Sequence, residues 1–135
     1  MISLTKDKEL KGYKSLTVYP EVAHFVTTRH GGVSEGTYGS FNCSPYTKDS
    51  CINVNCNQNK LFQITGHQIK ELVIPEQKHG SASLVVDESF FKESLEVRRT
   101  LLRGIDALIT NVPGLTLATF YADCVPLYFV DPVKR

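Results

Sequence analysis

A chain of 135 residues, 41% hydrophobic and 21% charged, is long enough to bury one core and too apolar to stay disordered. Fifteen Lys and Arg against fourteen Asp and Glu leave a formal net charge of +1, and neither sign forms a run that would track a phosphate backbone, so nucleic acid is not the expected partner. The opening residues show no signal or transit pattern, and no apolar stretch nears the roughly 20 residues that span a bilayer, so a cytoplasmic protein with no membrane partner is expected.

Residues 15–28 read as two short strands, SLTVY and AHFVTT, broken at Pro20, which lacks the amide proton a ladder needs. Residues 29–42, RHGGVSEGTYGSFN, follow as a long glycine-rich loop of the kind that lines a site. Over residues 50–66 the apolar positions Ile52, Val54, Leu61, Phe62 and Ile64 fit a helix loosely, with Asp49 or Ser50 to cap its start and Gly66 to end it. Residues 72–75 and 83–86 read as short buried strands, and residues 88–103 as a polar surface loop with a helical turn. The remainder alternates strand and turn signals: ALIT, a Val-Pro-Gly turn, LTLATFYA, then VPLYFV before Asp131-Pro132. Together these elements imply an α+β domain, a mixed β-sheet with packed helices, forming one unit over residues 1–135 with its loops at one sheet edge. A strand running into VDPVKR with no tail-like composition beyond it reads as a truncated chain.

Four cysteines, Cys43, Cys51, Cys56 and Cys124, are expected as reduced thiols, and without a C-x-x-C pair they do not form a zinc knuckle. Cys124 lies in Ala122-Asp123-Cys124-Val125-Pro126, where Pro126 interrupts the ladder and a bulge would aim a side chain into a cleft. A free cysteine in apolar surroundings is also an ordinary core residue, but Asp123 beside it must face water, a hydrogen-bond partner or a cation. His79, in PEQKHG, sits at the mouth of the strand LVI; a lone histidine in such a polar loop is often only a solvated side chain. His24 reads as structural, and His30 and His67 as exposed.

Should His79 and Cys124 meet, two chemistries are open. As imidazole and thiolate they suit zinc, whose catalytic sites commonly take three protein ligands and a water acidified toward neutral pH. Alternatively, Cys124 is a nucleophile with His79 as its base, in a cysteine hydrolase. Arg29 and the glycine-rich loop amides suit an anion such as phosphate, although glycines also serve ordinary turns. A non-catalytic binding module is the reading from outside enzymology.

The motifs taken together resemble one family. Residues 27–34 (TTRHGGVS) through Ser40-Phe41-Asn42, then Gln77-Lys78-His79-Gly80, then Asp106-Ala107-Leu108-Ile109-Thr110 with Pro113-Gly114-Leu115, then Ala122-Asp123-Cys124-Val125-Pro126 with Asp131-Pro132, are similar in kind and order to the YfiH family. That family is also known as the multicopper polyphenol oxidase or laccase family, a purine nucleoside phosphorylase family and a peptidoglycan editing factor. The resemblance implies zinc held by His79 and Cys124, with a second histidine from a His-Ala-Gly-Trp-Arg-Gly segment that would follow Arg135. It implies phosphorolysis of adenosine, inosine and methylthioadenosine, adenosine deamination in the same site, and purine nucleosides and phosphate as partners. Arg29, Asn42, Gln77 and Asp123 become candidates for lining the pocket. Editing of a peptidoglycan precursor by Cys124 and His79 is the alternative within the same resemblance. Copper is the less favoured metal, because a multicopper centre wants many histidines and the chain has four with no H-x-H pair. Phe41 stands where the family usually has leucine, an apolar exchange that should leave Asn42 in place. The oligomeric state is not legible in the sequence.

Overall fold

A computed structural model describes residues 1–66 and 71–133 of the chain. Two compact units divide it, Met1–His67 and Gln68–Arg135, at a boundary just beyond a helix cap where composition carries no linker signature.

The first unit holds a three-stranded antiparallel sheet, β1 (Ile2–Ser3), β2 (Leu10–Gly12) and β3 (Val26–Thr27), with Ser3 opposite Lys11 and Leu10 opposite Thr27. The expected strand over residues 15–19 is absent. That stretch closes on itself in successive turns, Leu16 N–H donating to the Tyr13 carbonyl and Tyr19 N–H to that of Leu16. Of AHFVTT only Val26–Thr27 pairs, and its partner is Leu10–Gly12, a segment too short and too rich in lysine to read as a strand. β-branched residues favour a strand only where a neighbour offers a ladder.

Helix α1 (Cys51–Thr65) occupies the place expected for it. Its N-cap is Ser50, whose side chain makes no capping bond; the Asp49 carboxylate accepts from Ser50 N–H at 2.8 Å instead. Gly66 ends the helix in the left-handed region (φ 59°), a conformation glycine adopts without a Cβ clash. Val54, Asn57 and Leu61 are its buried positions, three and four residues apart on one face. Two of these are apolar and one is not, which is why the amphipathic signal is faint.

The second unit is built on two parallel pairs: β4 (Glu71–Val73) with β7 (Leu115–Leu117), and β5 (Ser83–Val85) with β6 (Ala107–Ile109). Parallel and antiparallel sheets with two helices give the mixed α+β architecture expected. Residues 88–103 are more ordered than a surface loop: a 3₁₀ turn at Phe90–Lys92 leads into helix α2 (Leu95–Leu101), whose N-cap Ser94 accepts from Val97 N–H. Glu96 in its first turn and Arg98 and Arg99 in its last match the helix dipole. Two apolar anchors flank this polar run, Phe90 and Leu102, and with Val73 and Val86 they form the unit's core. The Val-Pro-Gly turn is present, with Gly114 at φ 82°. LTLATFYA pairs only over Leu115–Leu117, and VPLYFV forms no strand. Val125, Leu127 and Phe129 stand 75–87% exposed, since no neighbouring strand among the described residues offers them a ladder. No helix among the described residues is long and apolar enough to cross a membrane.

Candidate functional site

Strands β4 and β7 run parallel with Val73 opposite Leu117, so the chain leaves both at the same, carboxyl-terminal edge. Parallel sheets characteristically carry their sites there. Past β4 the chain runs through Pro75 to Gln77-Lys78-His79-Gly80; past β7 it runs through Phe120 to Asp123-Cys124. Ala118 N–H extends the ladder to the Val73 carbonyl at 3.0 Å. Beyond that the two loops are tied by a side chain, Gln77 Oε1 accepting from Phe120 N–H at 2.7 Å. The tie falls two residues before His79 and four before Cys124.

His79 is exposed and its backbone is left-handed, at φ 59°. That region disfavours a residue with a Cβ by roughly 1–2 kcal/mol, so the loop must be held. Asp106, the residue before β6, does so. Its Oδ1 accepts from Lys78 N–H at 3.0 Å and His79 N–H at 2.8 Å, and its Oδ2 from Gly80 N–H at 2.8 Å. The Gly80 amide foremost, with those of His79 and Lys78, holds the Asp106 carboxyl below its ordinary range. The sequence showed Asp106 only as part of a motif; a carboxylate meeting amides 26–28 positions away leaves no local trace.

Cys124 is an exposed free thiol in a bend, and Asp123 beside it is exposed as well. Neither the imidazole of His79 nor the Cys124 sulfur has a hydrogen-bond partner among the described residues, so both remain open as donors to a metal. As a donor set the pair is right in kind for zinc, one soft sulfur and one imidazole nitrogen. It is incomplete, for no group of three His, Cys, Asp or Glu suited to hold an ion occurs among the described residues. A hollow of about 370 Å³ beside Asp87, Ser89, Asn111 and Pro113 includes none of the expected site residues.

In the first unit the glycine-rich loop is ordered by its own polar groups. Arg29 donates from Nε and Nη2 to the Gly39 carbonyl, at 3.1 and 2.8 Å, and its own carbonyl accepts from Ser40 N–H and Oγ. Asn42 donates to Thr47 Oγ1 and Asp49 Oδ2 and accepts from Ser44 N–H, which makes it a loop-building residue. Asp49 is held below its ordinary range by the Ser34 hydroxyl and then by Asn42. At the centre lies Asn57 of α1, fully buried, accepting from Val33 N–H and donating to Ser34 Oγ and the carbonyls of Ser40 and Asn42. A Cβ on Gly32 would sit 2.0 Å from the Ser40 carbonyl oxygen, so this turn admits glycine alone. Asn57 drew no notice in the sequence, although an amide at a core position of a helix marks a hydrogen-bond hub. His24 is structural, as expected, its Nε2 accepting from Tyr13 N–H at 2.8 Å. Cys43 is a core thiol pushed up to about 12 by burial, and Cys51 and Cys56 are exposed and free. His67 lies outside the described residues.

Residues 23–135 match the family model described as multi-copper polyphenol oxidoreductase laccase. The chain belongs to this family. A purine nucleoside phosphorylase of Bacteroides thetaiotaomicron is 47% identical over 131 residues, covering 97% of this chain and 48% of that protein. An adenosine deaminase, RL5, from an unknown prokaryotic organism is 32% identical over 82% of this chain and 42% of its own length. Among solved structures, YlmD from Geobacillus stearothermophilus superposes with a TM-score of 0.69 at 32% identity, covering 81% of this chain and 40% of that one. The YfiH protein of Bacillus licheniformis matches equally well, with 41% of its length covered. The chain thus spans about half the length of the curated relatives it matches.

Proposed function

We propose that this chain carries the His79 and Cys124 half of a zinc site in a purine nucleoside phosphorylase that also deaminates adenosine. The observation that supports the reading is the parallel β4–β7 pair, whose following segments carry His79 and Cys124 and are joined through Gln77 and Phe120. Relatives bearing the names purine nucleoside phosphorylase and adenosine deaminase supply the choice of substrate. The remaining ligand comes from outside the described residues, as the His-Ala-Gly-Trp-Arg-Gly segment of the family resemblance implies. Bound zinc would supply the Lewis acidity that deamination at purine C6 requires.

In phosphorolysis a phosphate oxygen bonds to ribose C1′ as the C1′–N9 bond breaks, and the purine departs with a proton. Arg29 is exposed, and the guanidinium hydrogens not engaged by Gly39 suit a phosphate oxygen. Gln77 keeps its amide NH₂ to donate while its oxygen holds Phe120. Asp123 is an exposed acceptor suited to a sugar hydroxyl or a base proton.

Incubating the full protein with adenosine, with and without phosphate, and resolving products by chromatography tests the reading. Adenine formed only with phosphate, inosine formed without it, and loss of both in H79A and C124A are expected. Turnover that survives chelation but not alkylation of Cys124 would point to the cysteine hydrolase, and no turnover of any nucleoside with zinc restored would point to a binding module.

A further inference from the structure

We propose that Asp106 is the positioning residue of His79, shaping the loop over residues 78–80 so that the imidazole stands clear as a metal ligand; this rests on the zinc reading above. The carboxylate is itself fixed. Asp106 N–H and Ala107 N–H both donate to the Ala82 carbonyl, at 2.9 and 3.2 Å, so the residue is anchored where β6 begins beside β5. From that anchor it collects three consecutive amides, those of Lys78, His79 and Gly80.

Successive N–H groups converge on one anion where the backbone passes between right- and left-handed conformations, and the left-handed residue here is His79 itself. The same bonds that hold the carboxylate therefore set the backbone from which the imidazole projects. The His79 ring is exposed and has no hydrogen-bond partner of its own among the described residues, so what the structure fixes is the Cα–Cβ direction from which it projects, and that is set through the main chain. Metal-binding histidines are usually oriented through the second ring nitrogen; here the orienting group grips the peptide.

Zinc affinity of the full protein, measured by competition with a chromophoric chelator, separates this role from plain scaffolding when D106N is compared with D87N. Asp87 is a second carboxylate of the same unit that accepts from nearby amides, those of Ser89 and Phe90, and it carries no site residue. D106N is isosteric but turns an NH₂ toward one of the amides it must receive. It should weaken zinc binding by about 10–100-fold, the range seen when an outer partner of a ligand is lost, while D87N leaves it unchanged. Far-ultraviolet circular dichroism verifies that both variants are folded, and D106A, which removes the carboxylate without turning a donor toward the amides, replaces D106N if the latter does not fold. Parent-like zinc affinity in a folded Asp106 variant, or an equal loss in D87N, overturns the proposal alone. A parent protein that binds no zinc overturns the zinc reading itself.

Discussion

Replacing Asn57 by alanine isolates the hub that joins α1 to the glycine-rich loop. The side chain is fully buried and makes four hydrogen bonds, but they are not equally replaceable. Ser34 Oγ keeps its bond to Asp49, and the Ser40 carbonyl keeps Ser34 N–H at 2.9 Å. Val33 N–H and the Asn42 carbonyl lose the partner that Asn57 gave them. Each part-buried orphan costs about 1–2 kcal/mol, and alanine returns about 0.5 kcal/mol in helix propensity, so the net loss from the two should be about 1.5–3.5 kcal/mol. N57D should lose more than N57A, because a carboxylate oxygen would replace the NH₂ that faces two carbonyls. Urea unfolding followed by circular dichroism, at constant slope, measures both variants. An N57A variant within about 0.5 kcal/mol of the parent, or an N57D as stable as the parent, would refute the reasoning.

Val86 is completely buried in the second unit's core, so V86A should cost about 2–3 kcal/mol in the same assay, whereas V85A, at a neighbour 58% exposed, should stay within about 0.5 kcal/mol. Asp49, Asp87 and Asp106 all have folded-state carboxyls held below their ordinary range, so the unfolded chain binds protons first as pH falls. Their contribution is whole above about pH 5 and drains away below about pH 4, and an acid titration of the unfolding midpoint should be flatter in D49N than in the parent. Q77A removes the acceptor of Phe120 N–H and should weaken zinc binding about tenfold, while Q77E keeps an oxygen there and should bind nearly as the parent does; equal affinities in Q77A and parent would show that the tie is idle.

Elements whose cause lies within a few residues were legible. Helix α1 with its Gly66 terminus, the strands at Glu71–Val73, Ser83–Val85 and Ala107–Ile109, and the turn at Gly114 all answer to local rules of periodicity, capping and left-handed glycine. The residue types suited to a metal were legible too, since imidazole and thiol chemistry belongs to the side chain itself. Strands expected over residues 15–19 and 125–130 failed because propensity names a candidate and a ladder needs a partner.

From its sequence alone the chain determined its family, its α+β composition and the residue types that could hold a metal. Tertiary structure alone decided that β4 and β7 run side by side with the segments beyond them tied through Gln77 and Phe120, that Asp106 reaches across 26–28 positions to grip the His79 loop, and that Asn57 is the buried hub of the first unit. The division follows from range: a cap or a turn is set by neighbours in the chain, whereas a hydrogen bond between distant residues exists only once the backbone has folded to bring donor and acceptor within about 3 Å.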